Sequence, residues 1–124
     1  MSHFAKIATQ FVNHKELVET LQELHGEENV KIRGLHDDKE LKIRGWGSST
    51  RKVDIAVKGL GRYDLGFNRN KEGCYEIVKE AMFNYDIPSL VESYADRVVR
   101  NRLPRGKYRV LEREKGRIKL QQMR

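Results

Sequence analysis

Three groups of residues in this 124-residue chain could do chemistry. Ser2 and His3, taken with Asp54 and Asp64, contain the parts of a hydrolytic site, because a hydroxyl nucleophile needs a base in hydrogen-bonding reach and a carboxylate to orient that base. The same His and two carboxylates could also converge on a divalent ion. Two features weigh against both readings. Neighbours on a strand point to opposite faces, which separates Ser2 from His3, and carboxylates on strands more often pair with an arginine, here Arg44 or Arg62. The ion pair is the preferred reading, so no catalytic residue, metal ligand or cofactor is assigned. The histidines at 3, 14, 25 and 36 lack the three- or four-residue spacing that puts two imidazoles on one helix face. Cys74, the single cysteine, stands in no redox or nucleophile motif.

The second group is Arg44-Gly45-Trp46-Gly47-Ser48-Ser49-Thr50-Arg51-Lys52. Glycines allow close backbone approach, hydroxyls and cations take phosphate, and an indole offers a stacking face. A small nucleotide or a single strand suits that chemistry, although the spacing is not that of a P-loop. The plain alternative is a connecting loop with Trp46 packed over Arg44.

The third group is electrostatic. Residues 1–96 carry 14 Lys and Arg against 16 Asp and Glu, whereas residues 97–124 carry 11 against 2. Arg97, Arg100, Arg105, Lys107, Arg109, Arg113, Arg117 and Lys119 make this end a candidate surface for nucleic acid or an acidic partner. On a closing hairpin Lys107, Arg109, Arg113, Arg117 and Lys119 share a face, with Tyr108 on the other, so backbone contacts with weak sequence preference are expected. The alternative is a solvated basic face.

These groups need elements to hold them. Residues 3–11 alternate as a strand with Ala5, Ile7, Thr9 and Phe11 on one face. Asn13 caps a helix with Leu17, Val18, Leu21 and Leu24 on its apolar face, and Gly26 stops it. Val30–Leu35 and Glu40–Trp46 read as a hairpin joined by His36-Asp37-Asp38-Lys39. Val53, Ile55 and Val57 alternate with Asp54, Ala56 and Lys58, and two short turns lead through Tyr63–Phe67 to Tyr75 and Ile77 as an antiparallel meander. A second helix carries Leu90, Val91, Tyr94, Ala95 and Val98, opened by Pro88 and a capping box of Ser89 and Glu92 and ended by Pro104 and Gly106. Tyr108 to Leu120 then closes as a hairpin. The order implies an α+β fold: a single antiparallel sheet with two helices packed on it and a C-terminal β-hairpin.

Length and composition bound the rest. At 14.5 kDa one domain, residues 1–124, is expected. Aromatic residues spread along the chain argue for a globular protein in spite of 35% charged residues. No apolar run reaches the roughly 20 residues of a membrane span, and the opening residues lack the order of a signal peptide. With one cysteine a reducing, cytoplasmic location is expected.

Several short motifs together resemble the domain of unknown function 1257 family, also called the hypothetical chloroplast reading frame thirty-five family. They are Met1-Ser2-His3-Phe4 opening the first strand, Arg44-Gly45-Trp46 where the family tends to Arg-Gly-Tyr, Val53-Asp54-Ile55 like its Ala-Asp-Ile, and Tyr63-Asp64-Leu65-Gly66-Phe67 like its Tyr-Asp-Ile-Gly-Phe. The chain departs from that pattern at Trp46, in a longer Val30–Lys39 region and in its basic end. The resemblance implies no established chemistry. It does imply a genomic neighbourhood with an AAA+ ATPase and a second small protein, and hence a non-catalytic binding or adaptor protein with those partners. His3, Arg44, Trp46, Asp54, Tyr63 and Asp64 are then the candidate contact residues, and nucleic-acid binding through the basic end is the alternative.

Overall fold

Alternating small and polar side chains in Phe4–Phe11 form a strand, β1, whose odd positions turn inward while Lys6, Ala8 and Gln10 are exposed. The computed structural model describes residues 4–34 and 40–101 in full, with the backbone alone at 102, 108–114 and 117–122. His3, the turn 36–39, and Pro104, Arg105, Gly106 and Lys107 lie outside the described residues. The chain divides into two compact units, one formed by Met1–Val12 and Leu21–Asn84, the other by Asn13–Thr20 and Tyr85–Arg124.

The first unit is built on a five-stranded antiparallel sheet. Besides β1 it contains β2 (Val30–Ile32), β5 (Ile55–Val57), β6 (Leu65–Arg69) and β7 (Tyr75–Glu80), in the order β1-β7-β6-β5-β2. The meander β5-β6-β7 is as the sequence predicts, with its second turn organised by Asn70, whose Oδ1 accepts from the Glu72 and Cys74 amides. Register places Ile55, Phe67, Ile77 and Ile7 in one row, and Ala56, Gly66, Val78 and Lys6 in the next. Neighbouring rows face opposite sides. The first row belongs to an apolar face with Val57 and Leu65, all buried except the half-buried Ile7.

The second face is covered by the chain itself. Two short strands, β3 (Lys42–Arg44) and β4 (Thr50–Lys52), form a separate two-stranded ribbon, and its Leu41, Ile43 and Val53 pack with Ala56, Val78 and Phe4. This explains the small residues at the middle of the sheet. A Cβ on Gly66 would stand 2.5 Å from Val53 Cγ1 and 3.1 Å from Ile43 Cδ1. It also corrects the hairpin expected between Val30–Leu35 and Glu40–Trp46. β2 pairs with β5, Val30 opposite Val57, while β3 pairs with β4, a strand the polar Thr50-Arg51-Lys52 does not announce. A strand exposed at all three of its positions has no hydrophobic alternation to read.

In the second unit, α1 begins at His14 and runs to His25 of the first. The Asn13 carbonyl accepts from Leu17 N, and the Tyr94 hydroxyl accepts from Asn13 N at 3.0 Å. Leu17, Val18 and Leu21 are buried as expected, but Leu24 is exposed, and Glu16 and Thr20 are buried in its stead. Gly26 ends the helix at φ 93°, in the left-handed region that favours glycine. Helix α2 spans Ile87–Arg102, with Leu90 and Tyr94 on its buried side. The cap is Asp86, not the expected Ser89–Glu92 box: its Oδ1 accepts from Ser89 N at 3.2 Å and its Oδ2 from Ser89 Oγ at 2.6 Å. Pro88, which has no N–H to satisfy, fits the first turn, and the helix therefore starts one turn earlier than Ser89 suggests. The backbone of β8 (Tyr108–Glu114) and β9 (Arg117–Gln122) pairs antiparallel.

Gly66→Ala should lower stability by about 1–3 kcal/mol through overpacking against Val53. Chemical denaturation reads this directly, and a change below about 0.5 kcal/mol, the scatter of surface substitutions, would disprove the close packing of ribbon on sheet.

Candidate functional site

The residues that set the motifs apart meet where the β3–β4 ribbon joins the sheet. Asp64, at the entry to β6, is fully buried, and a carboxylate out of water persists only where donors surround it. Arg44 supplies most of them. Its backbone N donates to Oδ2 at 2.8 Å, its Nε to Oδ2 at 3.1 Å and its Nη2 to Oδ1 at 2.9 Å. Lys58 Nζ adds a bond to Oδ2 at 2.9 Å. Asp64 N donates back to the Arg44 carbonyl at 3.3 Å, so the two residues are tied through backbone and side chain alike. Burial by itself pushes the Asp64 carboxyl up, but the Arg44 and Lys58 hydrogen bonds, with the charge of Lys58, hold it below the ordinary carboxylate value. The hydrogen bond to Asp64 raises the Arg44 guanidinium in turn. The expected ion pair therefore forms, with Arg44 and Lys58 as the partners of Asp64.

A second buried carboxylate fixes the turn that follows. Glu80, at the end of β7, accepts from Trp46 N through Oε2 at 3.1 Å. Gly45 makes room for this, because a Cβ there would stand 2.7 Å from Glu80 Oε2 and 2.5 Å from Phe4 Cζ. Gly45 N donates to Ser49 O at 2.8 Å and Ser49 N to Trp46 O at 3.3 Å, closing the ribbon. In Arg44-Gly45-Trp46 the arginine grips Asp64 and the glycine admits Glu80 and Phe4. The Trp46 backbone N–H is held while the residue as a whole is 49% exposed. Trp46 is not packed away. Sequence reasoning missed Glu80, which nothing in Tyr75–Glu80 distinguishes from the charged Glu76 and Lys79 of the same strand.

The other candidates go elsewhere. Tyr63 is half-buried, its ring centroid 6.1 Å from that of Phe83. Asp54 is bound separately: its Oδ1 lies 3.1 Å from Arg33 Nη2, and its Oδ2 accepts from Arg69 N at 3.0 Å. Asp54 and Asp64 are thus held by different cations, each in a structural role. Among the described residues no group of three His, Cys, Asp or Glu stands together to hold a metal ion.

Two described members of the basic end face carboxylates. Arg97 Nη1 lies 4.0 Å from Glu19 Oε1, and Arg100 Nη2 lies 2.8 Å from Asp96 Oδ2. In the β8–β9 register Glu112 stands opposite Lys119 and Glu114 opposite Arg117. A register shift between Val110 and Glu112 breaks the simple alternation, and Arg113 stands opposite Ile118, out of step with Arg117 and Lys119.

Asp64→Asn should cost about 2–4 kcal/mol by leaving Arg44 and Lys58 without their charge partner at a buried site. Because the folded protein holds the Asp64 carboxyl below its ordinary value, its contribution is complete above the unfolded value. It is lost as pH falls through the folded one. Denaturation of both proteins against pH should accordingly show the gap between them narrowing in acid. A gap constant down to pH about 3, below the ordinary value of about 3.9, would refute the clamp.

No helix among the described residues is long and apolar enough to cross a membrane. No curated protein and no solved structure matches the chain. A family model does match, over residues 20–120, and that stretch takes in the Arg44, Asp54 and Asp64 motifs whose packing is described above. The chain belongs to the family described as Protein of unknown function (DUF1257).

Proposed function

We propose that the protein is a non-catalytic binding module, an adaptor working with an AAA+ ATPase, and that its contact surface is centred on Trp46. The observation that carries this reading is the display of that side chain. Its backbone is pinned by a buried carboxylate and the strand before it by a second one, yet the residue itself is half exposed. A large aromatic with two side-chain torsions on a fixed backbone has little conformational entropy to lose on binding, and Trp is enriched among residues that dominate interfaces. The carboxylates nearby are engaged in holding the fold, a pattern that suits recognition better than acid–base chemistry. The ATPase as partner rests on the resemblance alone.

Nucleic-acid binding through the basic end has less support, since Arg97 and Arg100 already face Glu19 and Asp96.

Trp46→Ala keeps the backbone N–H that Glu80 accepts, so stability should stay within about 0.5 kcal/mol of the parent. Affinity capture from the source cells should recover the ATPase with the parent protein and lose it with the variant. Equal recovery by both would sink the assignment of the surface, and recovery by neither would sink the adaptor reading.

A further inference from the structure

The outer side of the ribbon beside Trp46 is organised by charge. Lys42 and Lys52 stand directly opposite each other in the β3–β4 register, an arrangement that destabilises an antiparallel pair. A single carboxylate serves both, with Glu40 Oε1 at 3.0 Å from Lys52 Nζ and Oε2 at 3.5 Å from Lys42 Nζ. Arg44 follows two residues after Lys42 and so shares its face, while Ile43 between them is buried. The Arg44 side chain remains 54% exposed even in its clamp with Asp64. Lys58 Nζ reaches the Lys42 carbonyl at 2.6 Å and completes the group. Among the described residues Lys42 and Lys52 thus face Glu40, Arg44 and Lys58 face the fully buried Asp64, and Trp46, two residues on from Arg44, is exposed.

We propose that this face binds a single-stranded nucleic acid, with Lys42, Lys52 and Arg44 on the phosphates and Trp46 stacked on a base. The inference rests on the reading of Trp46 as a contact residue and goes beyond the adaptor role by adding a second class of ligand at the same surface. An acidic peptide would satisfy the cations but offers the indole a π-face only where it carries an aromatic side chain, whereas every base supplies one. Lysines on a short ribbon contact phosphate without reading base edges, so sequence preference is weak and salt dependence strong. The binding surface lies on the ribbon and not on the basic C-terminal end that composition singles out.

The probe is a fluorescein-labelled oligothymidylate, with an oligouridylate beside it, followed by anisotropy and by quenching of Trp46, the single tryptophan. At about 50 mM salt the parent protein should bind, quench its indole fluorescence, and weaken steeply as salt rises. Trp46→Ala should lose roughly tenfold in affinity. Lys42→Gln with Lys52→Gln, which also removes the like-charge opposition and so should not unfold the ribbon, should lose a similar factor and flatten the salt slope. Arg117→Gln with Lys119→Gln should bind as the parent does. No binding at low salt, binding indifferent to the ribbon changes, or displacement of the strand by oligoglutamate at equal charge concentration would each overturn the proposal. A protein that captures the ATPase through Trp46 yet binds no oligonucleotide would overturn only this inference. Loss of both would remove the Trp46 reading as well.

Discussion

A buried carboxylate must be surrounded by donors or it will not stay ionised, and Asp64 imposes that constraint on everything near it. Its donors come from two places, Arg44 at the end of β3 and Lys58 just beyond β5. The ribbon cannot leave the sheet without exposing an unpaired charge, nor slip along it, since the Arg44 amide and guanidinium address the same carboxylate. One interaction therefore sets the position of β3 with respect to β6. Glu80 repeats the device a few residues on by accepting from Trp46 N, so the two ends of Arg44-Gly45-Trp46 are each fixed to a different strand.

Because the ribbon is held down, the centre of the sheet is covered on a face that an antiparallel meander commonly leaves to solvent. Ala56 and Gly66 are small where Ile43 and Val53 come close, and Val78 faces the same cluster. The signature stretches of the chain are then largely architectural: Asp64 anchors, Gly66 and Gly45 make room, and Phe67 packs 6.5 Å from Phe11 between ring centroids. Among the described aromatic residues of these motifs Trp46 is the one left exposed, which is why recognition is assigned to it.

Charge tells the same story at larger scale. The excess of Lys and Arg after residue 96 invites a polyanion, yet Arg97 and Arg100 find Glu19 and Asp96, and the β8–β9 register sets Glu112 and Glu114 opposite Lys119 and Arg117. At the ribbon two carboxylates are shared among four cations, Glu40 by Lys42 and Lys52 and Asp64 by Arg44 and Lys58. Unremarkable composition conceals two lysines set against each other with one glutamate between them, the glutamate held below its ordinary value first by Lys52 and then by Lys42.

Periodicity and turn chemistry determined the α+β class, β1, the β5-β6-β7 meander and both helices, because each is a local pattern of burial that repeats every two or about 3.6 residues. The Arg44–Asp64 pair was within reach for a related reason: a carboxylate among apolar strand residues needs a cation. Strand pairing was not within reach. Whether residues 40–46 join β2 or fold onto β4 depends on contacts between segments far apart in sequence, and the exposed Thr50-Arg51-Lys52 has no alternation to betray it. Nor could the helix cap be settled locally, since Asp86 and Ser89 both have capping chemistry and the position of the chain before Pro88 chooses between them. The roles of Glu80, Gly45 and the exposed Trp46 were decided only by tertiary structure. Each depends on which strand end arrives beside which turn, and no spacing along the chain encodes that.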